Sequence, residues 1–143
     1  MIVLDTDVLI EIERGNQKVI SFLVNLRKTH PENIAITSSV YAELLYGFLA
    51  RNKQLPKELA SFDVIEFDKE SAEIFAQNKK SLDGKGTPIP IFDLVTASCV
   101  IAKKALLISF DRHFEKVNDL NFLLIQNNFL KENFSPSFFN KFS

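Results

Sequence analysis

The chain has 143 residues, of which 46% are hydrophobic and 24% are charged, so it predicts one globular domain and excludes an intrinsically disordered protein. Its formal net charge of −1 excludes binding to nucleic acid by bulk positive charge alone. The single cysteine excludes a disulfide framework and a multi-cysteine zinc site. With no basic leader and no apolar run long enough to cross a bilayer, we expect a cytoplasmic protein without a membrane partner.

The first half of the chain carries two short apolar runs, each followed by helical sequence. Ile2–Leu4 is apolar at every position, which is typical of a strand buried on both faces of a parallel sheet. Residues of helix-capping type follow it, and helical periodicity predicts helices over Val8–Arg14 and Lys18–Lys28. Ile34–Ile36 is a second strand of the same kind, and a helix is predicted from about Val40 to Arg51.

The second half continues the alternation of strands and helices. We predict strands at Val64–Phe67, Ala105–Ile108 and Phe122–Ile125. Helices are predicted at Lys69–Leu82 and Leu94–Lys104, with a short helical segment at Phe114–Val117. A mobile loop is predicted at Asp83–Pro88. This alternation predicts an α/β fold, with three α/β/α layers around a central, mainly parallel sheet of four or five strands.

The C-terminal end differs from the rest of the chain in composition. Six of the 14 phenylalanines lie from Phe122 onward, several of them among Asn, Ser and Lys residues. Exposed aromatic rings in such number are unfavourable in water. We therefore predict a domain over residues 1–125 and a Phe-rich tail over residues 126–143 that docks on the domain or on a partner.

Four acidic residues lie where a predicted strand gives way to a helix or early in the helix that follows: Asp5, Glu43, Asp93 and Asp111. Each alone is explained as a helix cap or as a partner of the helix dipole. Together they indicate a shared site, because the carboxyl ends of neighbouring strands meet at one edge of a parallel sheet. Clustered carboxylates repel one another unless a cation neutralises them, and their hard oxygen atoms suit Mg²⁺ or Mn²⁺ rather than zinc.

Each of the four acids also stands in a short motif. The motifs are an apolar strand with Asp5-Thr6-Asp7-Val8-Leu9-Ile10, Ala42-Glu43-Leu44 with Gly47, Asp93-Leu94-Val95-Thr96-Ala97-Ser98, and Leu107-Ile108-Ser109-Phe110-Asp111 with Phe114. In this order they resemble the PIN-domain ribonucleases, in particular the VapC-type toxins of bacterial toxin–antitoxin pairs, over about Ile2–Ile125. The sequence departs from that pattern at Ser109, where Thr is more usual, and at Ile91-Phe92, where the family has a small or acidic residue.

The resemblance implies a PIN-like fold and a Mg²⁺-dependent endoribonuclease, with Mn²⁺ as an alternative ion, that leaves a 5′-phosphate and a 3′-hydroxyl. The residues implied in catalysis and metal binding are Asp5, Glu43, Asp93 and Asp111. Thr6 and Ser109 are expected to hydrogen-bond the ligands, and Arg112 to contact a phosphate. The implied partners are an RNA substrate, with transfer or ribosomal RNA ahead of messenger RNA, a small antitoxin protein, and a second copy of the chain in a homodimer.

Other interpretations of the same residues stay open at this stage. Asp5 and Asp7 after an apolar strand also resemble the first motif of haloacid-dehalogenase-type phosphatases, although the Gly-Asp pair that this class needs is absent from the sequence. A phosphate-sensing receiver module and a catalytically silent PIN-like binding module are the remaining alternatives. Asp7 is otherwise expected to be a helix cap, and His113 an ordinary exposed helical residue.

Overall fold

The computed structural model describes residues 1–31 and 34–126. The strands are β1 (Ile2–Leu4), β2 (Ile34–Thr37), β3 (Asp63–Ile65), β4 (Leu106–Ser109) and β5 (Phe122–Leu124). The helices are α1 (Thr6–Glu13), α2 (Gln17–Thr29), α3 (Ser38–Ala50), α4 (Lys57–Ala60), α5 (Lys69–Gly84), α6 (Ile91–Ala102) and a 3-10 helix, η1 (Arg112–Lys116). Except for Gln126, the predicted tail at 126–143 lies outside the described residues, so its docking stays a prediction.

The five strands form one parallel sheet in the order β3-β2-β1-β4-β5. Val3 in the central strand pairs with Ala35 on one side and with Leu107 on the other. The chain builds outward from β1 to β3 and then crosses back to place β4 beside β1, so the strand order reverses between these two strands. This reversal opens the crevice in which open α/β sheets bind ligands, and the predicted α/β/α fold with a parallel sheet is confirmed.

Side chains that alternate along the strands divide the core between the two faces of the sheet. Ile2 and Leu4 in β1 point into a cluster that includes Phe22 of α2 and Phe48 of α3. Val3 points the other way, into a cluster formed mainly with α5, α6 and η1. Because both faces of β1 are covered, the strand is apolar throughout, as its sequence indicated.

Several predicted boundaries were wrong by a few residues, for local reasons. The helix around Asp93 begins at Ile91, because Pro90 has the extended backbone that is typical of an N-cap residue. Asp93 is therefore the third residue of this helix. Thr37 starts α3 earlier than expected by accepting a hydrogen bond from the Val40 backbone N–H at 3.3 Å. The predicted loop after Leu82 opens with two further residues of α5, which ends at Gly84, and α4 was not predicted.

Among the described residues, no helix is both long and apolar enough to cross a membrane. The cytoplasmic location stays a prediction from the sequence.

Candidate metal centre

Asp5 is the first residue after the central strand and lies at the point where the strand order reverses. It occupies the N-cap position of α1, but its side chain makes no capping hydrogen bond. The residue is only 7% exposed, so a carboxylate is held in the interior without the usual structural reason for an Asp at this position. A helix cap therefore does not account for Asp5.

Ser109, the last residue of β4, joins the ends of the two central strands. Its buried Oγ donates to Asp5 Oδ2 at 2.7 Å and accepts from the Asp111 backbone N–H at 2.9 Å. Ser109, at the end of the neighbouring strand β4, thus orients the Asp5 carboxylate and holds the start of the segment that carries Asp111. This is the contact expected for Ser109 from the sequence, although its effect on a bound ion stays a prediction.

Glu43 reaches the same edge from the second turn of α3. Its Oε2 accepts a hydrogen bond of 2.5 Å from Thr6 Oγ1, in the first residue of α1. A short hydroxyl-to-carboxylate contact of this kind fixes the position of the acceptor. Thr6 therefore orients Glu43 in the way that Ser109 orients Asp5.

Asp93 and Asp111 both lie close to His113. His113 Nδ1 lies 3.1 Å from Asp111 Oδ1 and 3.7 Å from Asp93 Oδ2. Asp111 also caps η1, because its Oδ1 accepts from the His113 backbone N–H at 2.8 Å. One ligand atom from each of the three side chains lies within 4.8 Å of the others.

The carboxylates influence one another's protonation, which indicates that the four acids share one electrostatic environment. The pKa of Asp93 is raised to about 6, first by burial and then by the negative charges of Asp5, Asp111 and Glu43, while His113 opposes the rise. Burial also raises the pKa of Asp5, and Glu43 and Asp111 add to that effect. The structure therefore brings together the four acids that the sequence singled out, although their roles stay a prediction.

Asp7 also lies in this region, and its predicted role as a helix cap was wrong. Its Oδ2 accepts from the Phe110 backbone N–H at 3.0 Å, across the gap between the two central strand ends, and lies 3.2 Å from Ser109 Oγ. Its Oδ1 is buried and finds no hydrogen-bond partner among the described residues. Burial, followed by the charge of Asp5, raises the pKa of Asp7 to about 7. No pattern in the sequence showed that Asp7 contacts Phe110.

Arg112 is placed less centrally. Its side chain is 66% exposed and its Nη1 lies 3.5 Å from Glu115 Oε1. In the part of the chain that the structure describes, it makes no contact with the four acids. Its predicted contact with a phosphate therefore stays a prediction.

The donor set fits a divalent cation. In the described ranges, 1–31 and 34–126, the ion pairs of the four acids involve His113 but no Lys or Arg. Carboxylates that repel one another and lack a Lys or Arg partner are stabilised by a bound cation, and oxygen-rich sites suit Mg²⁺ or Mn²⁺. Asp93 and Asp111 have ligand atoms that lie close together, and Asp5 and Glu43 act on them electrostatically from the same crevice.

Several solved structures share this fold. One match is a chain of VapBC2 from Rickettsia felis, in a structure bound to a DNA fragment from the VapBC2 promoter. It has a TM-score of 0.74 and 26% identity, and the match covers 88% of this chain and 100% of that one. A chain of VapBC-1 from nontypeable Haemophilus influenzae matches with a TM-score of 0.71 at 23% identity, over 87% and 98%. VapBC-5 from Mycobacterium tuberculosis, a member of the VapBC family of toxin-antitoxin systems, matches with a TM-score of 0.61 at 19% identity, over 86% and 97%.

The last two matches show the fold alone at their level of identity, and a comparison with curated proteins finds no significant match. The sequence comparison with protein families is more decisive. The family model of the PIN domain matches residues 2–120, which include all four acids and every strand except β5. The phosphatase and receiver alternatives do not account for this match, and the chain belongs to the PIN-domain family.

Proposed function

We propose that the protein is a Mg²⁺-dependent or Mn²⁺-dependent endoribonuclease and the toxin of a VapBC-type pair. The observation that carries this proposal is the convergence of Asp5, Glu43, Asp93 and Asp111 on the crevice beside the central strand, without a Lys or Arg counterion in the described residues. Membership in the PIN-domain family and the fold shared with VapBC structures support it.

In this proposal Asp5 and Asp93 hold the principal cation, and Asp111 assists them or completes a second site. A bound divalent cation supplies charge stabilisation at the phosphoryl oxygens and lowers the pKa of an attacking water. Glu43, held by Thr6, orients that water, and Ser109 keeps the Asp5 carboxylate in a binding orientation. The expected products carry a 5′-phosphate and a 3′-hydroxyl.

A cavity of about 220 Å³ beside Glu43 supports the proposed approach of RNA to the site. Thr6 and Glu43 form part of its wall, and Arg14 and Arg51 lie on the same wall. Guanidinium groups next to a carboxylate site suit the backbone of a bound RNA, because phosphate contacts position a nucleic acid. Arg112 is a further candidate for such a contact.

A second, mostly apolar cavity supports the proposed antitoxin partner. It has a volume of about 170 Å³ and is lined mainly by α2, through residues that include Ile20 and Leu23, with Ile12 of α1 beside them. A short apolar segment of a small antitoxin fits such a surface. The homodimer predicted from the family resemblance and the identity of the RNA, transfer or ribosomal ahead of messenger, belong to the same proposal.

The test is cleavage of total RNA by the purified protein, with and without EDTA. We expect cleavage that EDTA abolishes and added Mg²⁺ or Mn²⁺ restores, and sequencing of the fragment ends should find 5′-phosphates. Asp5→Asn should abolish cleavage and leave the fold intact by circular dichroism. Asp63→Asn is the matched control, because Asp63 is an exposed carboxylate at the opposite, amino end of β3.

Cleavage that resists EDTA, or full activity of Asp5→Asn, would refute the proposed mechanism. A protein that binds the cation but cleaves no RNA would instead be a catalytically silent PIN-like binding module. The control distinguishes these results from a general effect of removing one negative charge.

A further inference from the structure

His113 is placed where a nitrogen atom faces the proposed cation site. Its ring Nδ1 lies 3.1 Å from Asp111 Oδ1 and 3.7 Å from Asp93 Oδ2, and the side chain is 46% exposed at the rim of the crevice. Asp111 Oδ1 is already engaged by the His113 backbone N–H. The histidine thus approaches two carboxylates that come from different elements, α6 and the segment after β4.

The spacing of these three side chains matches ligands around one ion. In an octahedral shell with bonds of about 2.1 Å, adjacent ligand atoms lie about 3.0 Å apart and opposite ones about 4.2 Å apart. The two distances from His113 Nδ1 fall between these values, and the limit of 4.8 Å on the whole group is slightly wider than the shell. A single ion can therefore contact all three residues after small side-chain rotations.

The chemistry of an imidazole nitrogen sets it apart from the remaining donors. Carboxylate oxygens bind Mg²⁺ and Mn²⁺ alike, whereas imidazole suits transition metals and is a poor ligand for Mg²⁺. We infer that His113 is a direct nitrogen ligand of the divalent cation together with Asp93 and Asp111, and that it biases the site toward Mn²⁺ over Mg²⁺. This inference rests on the cation site of the proposed function and names a ligand beyond its four acids.

The chain offers a clean background for detecting that nitrogen. It has two histidines, and the other one, His30, is the buried C-cap residue that follows α2. His30 precedes β2 and so lies toward the amino edge of the sheet, whereas the four acids lie at the carboxyl edge. A histidine nitrogen bound to an ion at the acids must therefore come from His113.

The test uses the untagged full chain loaded with Mn²⁺ in place of the unidentified physiological ion. Electron spin-echo spectroscopy of the bound Mn²⁺ should show a directly coordinated nitrogen, and His113→Ala should remove that signal. Titration followed by the signal of free Mn²⁺ should find that His113→Ala binds Mn²⁺ at least about tenfold more weakly than wild type. Loss of a residue that only hydrogen-bonds a metal ligand already lowers metal affinity by about tenfold or more. Mg²⁺ affinity, measured by competition, should change much less.

Lys116→Ala is the matched control, because Lys116 is an exposed residue of the same 3-10 helix, and it should keep the nitrogen signal. A wild-type protein that binds Mn²⁺ without a nitrogen signal, or a signal that persists in His113→Ala, would overturn the inference. If such a protein still cleaves RNA in an EDTA-sensitive way, the proposed function stands without it. A wild-type protein that neither binds Mn²⁺ nor cleaves RNA would overturn both.

Discussion

Two polar clusters lie near the carboxyl edge of the sheet, and they satisfy their hydrogen-bonding groups in different ways. The first is formed by Thr37, Ser39 and Thr96, which are all buried. Their hydroxyl oxygens lie 2.9, 3.1 and 2.9 Å apart in a closed triangle. Since each hydroxyl both donates and accepts, the three neutral groups satisfy one another, and Thr37 Oγ1 also accepts from the Val40 backbone N–H.

The second cluster consists of the carboxylates around Asp5. A carboxylate accepts hydrogen bonds but cannot donate them, so these groups cannot satisfy one another as the hydroxyls do. Ser109 donates to Asp5 and Thr6 donates to Glu43, but the negative charge remains. Burial first, and then repulsion from neighbouring carboxylates, raises the pKa of both Asp5 and Asp93.

The comparison separates a structural network from a binding site. The hydroxyl cluster is complete in itself and connects β2, α3 and α6. The carboxylate cluster is incomplete without positive charge, because buried charges are costly unless they are paired or bound to a metal. Variants in the first cluster should therefore alter stability, whereas variants in the second should alter activity and metal dependence.

The largest expected effect is on RNA cleavage in Asp93→Asn. Loss of this ligand should lower the cleavage rate by at least about 100-fold. Replacing a residue that only hydrogen-bonds a metal ligand already lowers activity by about 10-fold to 100-fold. The same change removes a repelling charge, so the metal-free variant should be more stable than wild type at pH 8. The measurements are initial cleavage rates and urea unfolding in EDTA. A variant that is both inactive and destabilised would show that Asp93 has a structural role instead.

A smaller loss is expected for Ser109→Ala. The change removes the hydroxyl that donates to Asp5 and receives the Asp111 N–H, so both side chains lose orientation. Cleavage should fall by about 10-fold to 100-fold, the usual cost of removing an outer partner of a metal ligand. Assays at rising Mg²⁺ should recover part of the loss. An unchanged rate would show that Asp5 is oriented without Ser109.

Asp7→Asn should stabilise the metal-free protein at neutral and higher pH. Because the pKa of Asp7 is raised from 3.8 to about 7, the stability it contributes is complete below about pH 4 and is lost as the pH rises through 7. The neutral amide avoids this loss. The variant should therefore gain on the order of a few kcal/mol at pH 8 and almost nothing at pH 4. Urea unfolding between pH 4 and pH 8 measures the difference, and a gain that does not depend on pH would contradict this account.

The smallest effect is expected in the hydroxyl cluster. Thr37→Val keeps the shape of the side chain but removes a buried hydroxyl that also caps α3 at Val40. The free energy of unfolding should fall by about 1 to 3 kcal/mol, the cost of unsatisfied buried partners. RNA cleavage should stay at the wild-type level. Thr29→Val, at an exposed threonine, is the control, and a fall in cleavage without a fall in stability would remove the distinction between the clusters.

Much of the fold and part of the site followed from local features of the sequence. Apolar runs such as Ile2–Leu4 identify strands covered on both faces, and strands of a parallel sheet end at the same edge. Asp5 and Asp111 could therefore be placed near each other, because each follows a strand. The positions of Glu43 and Asp93 depended on helix starts, which were wrong by two or three residues without changing the edge at which they lie.

The sequence by itself determined which segments are strands and helices and which acids stand at their ends, because periodicity and capping are properties of neighbouring residues. Only the tertiary structure decided which side chains meet. Asp7 reaches the Phe110 N–H, Thr37 reaches Thr96, and His113 turns toward Asp93. The physical reason is that distances between segments depend on how helices pack on the twisted sheet, and no local pattern encodes that packing.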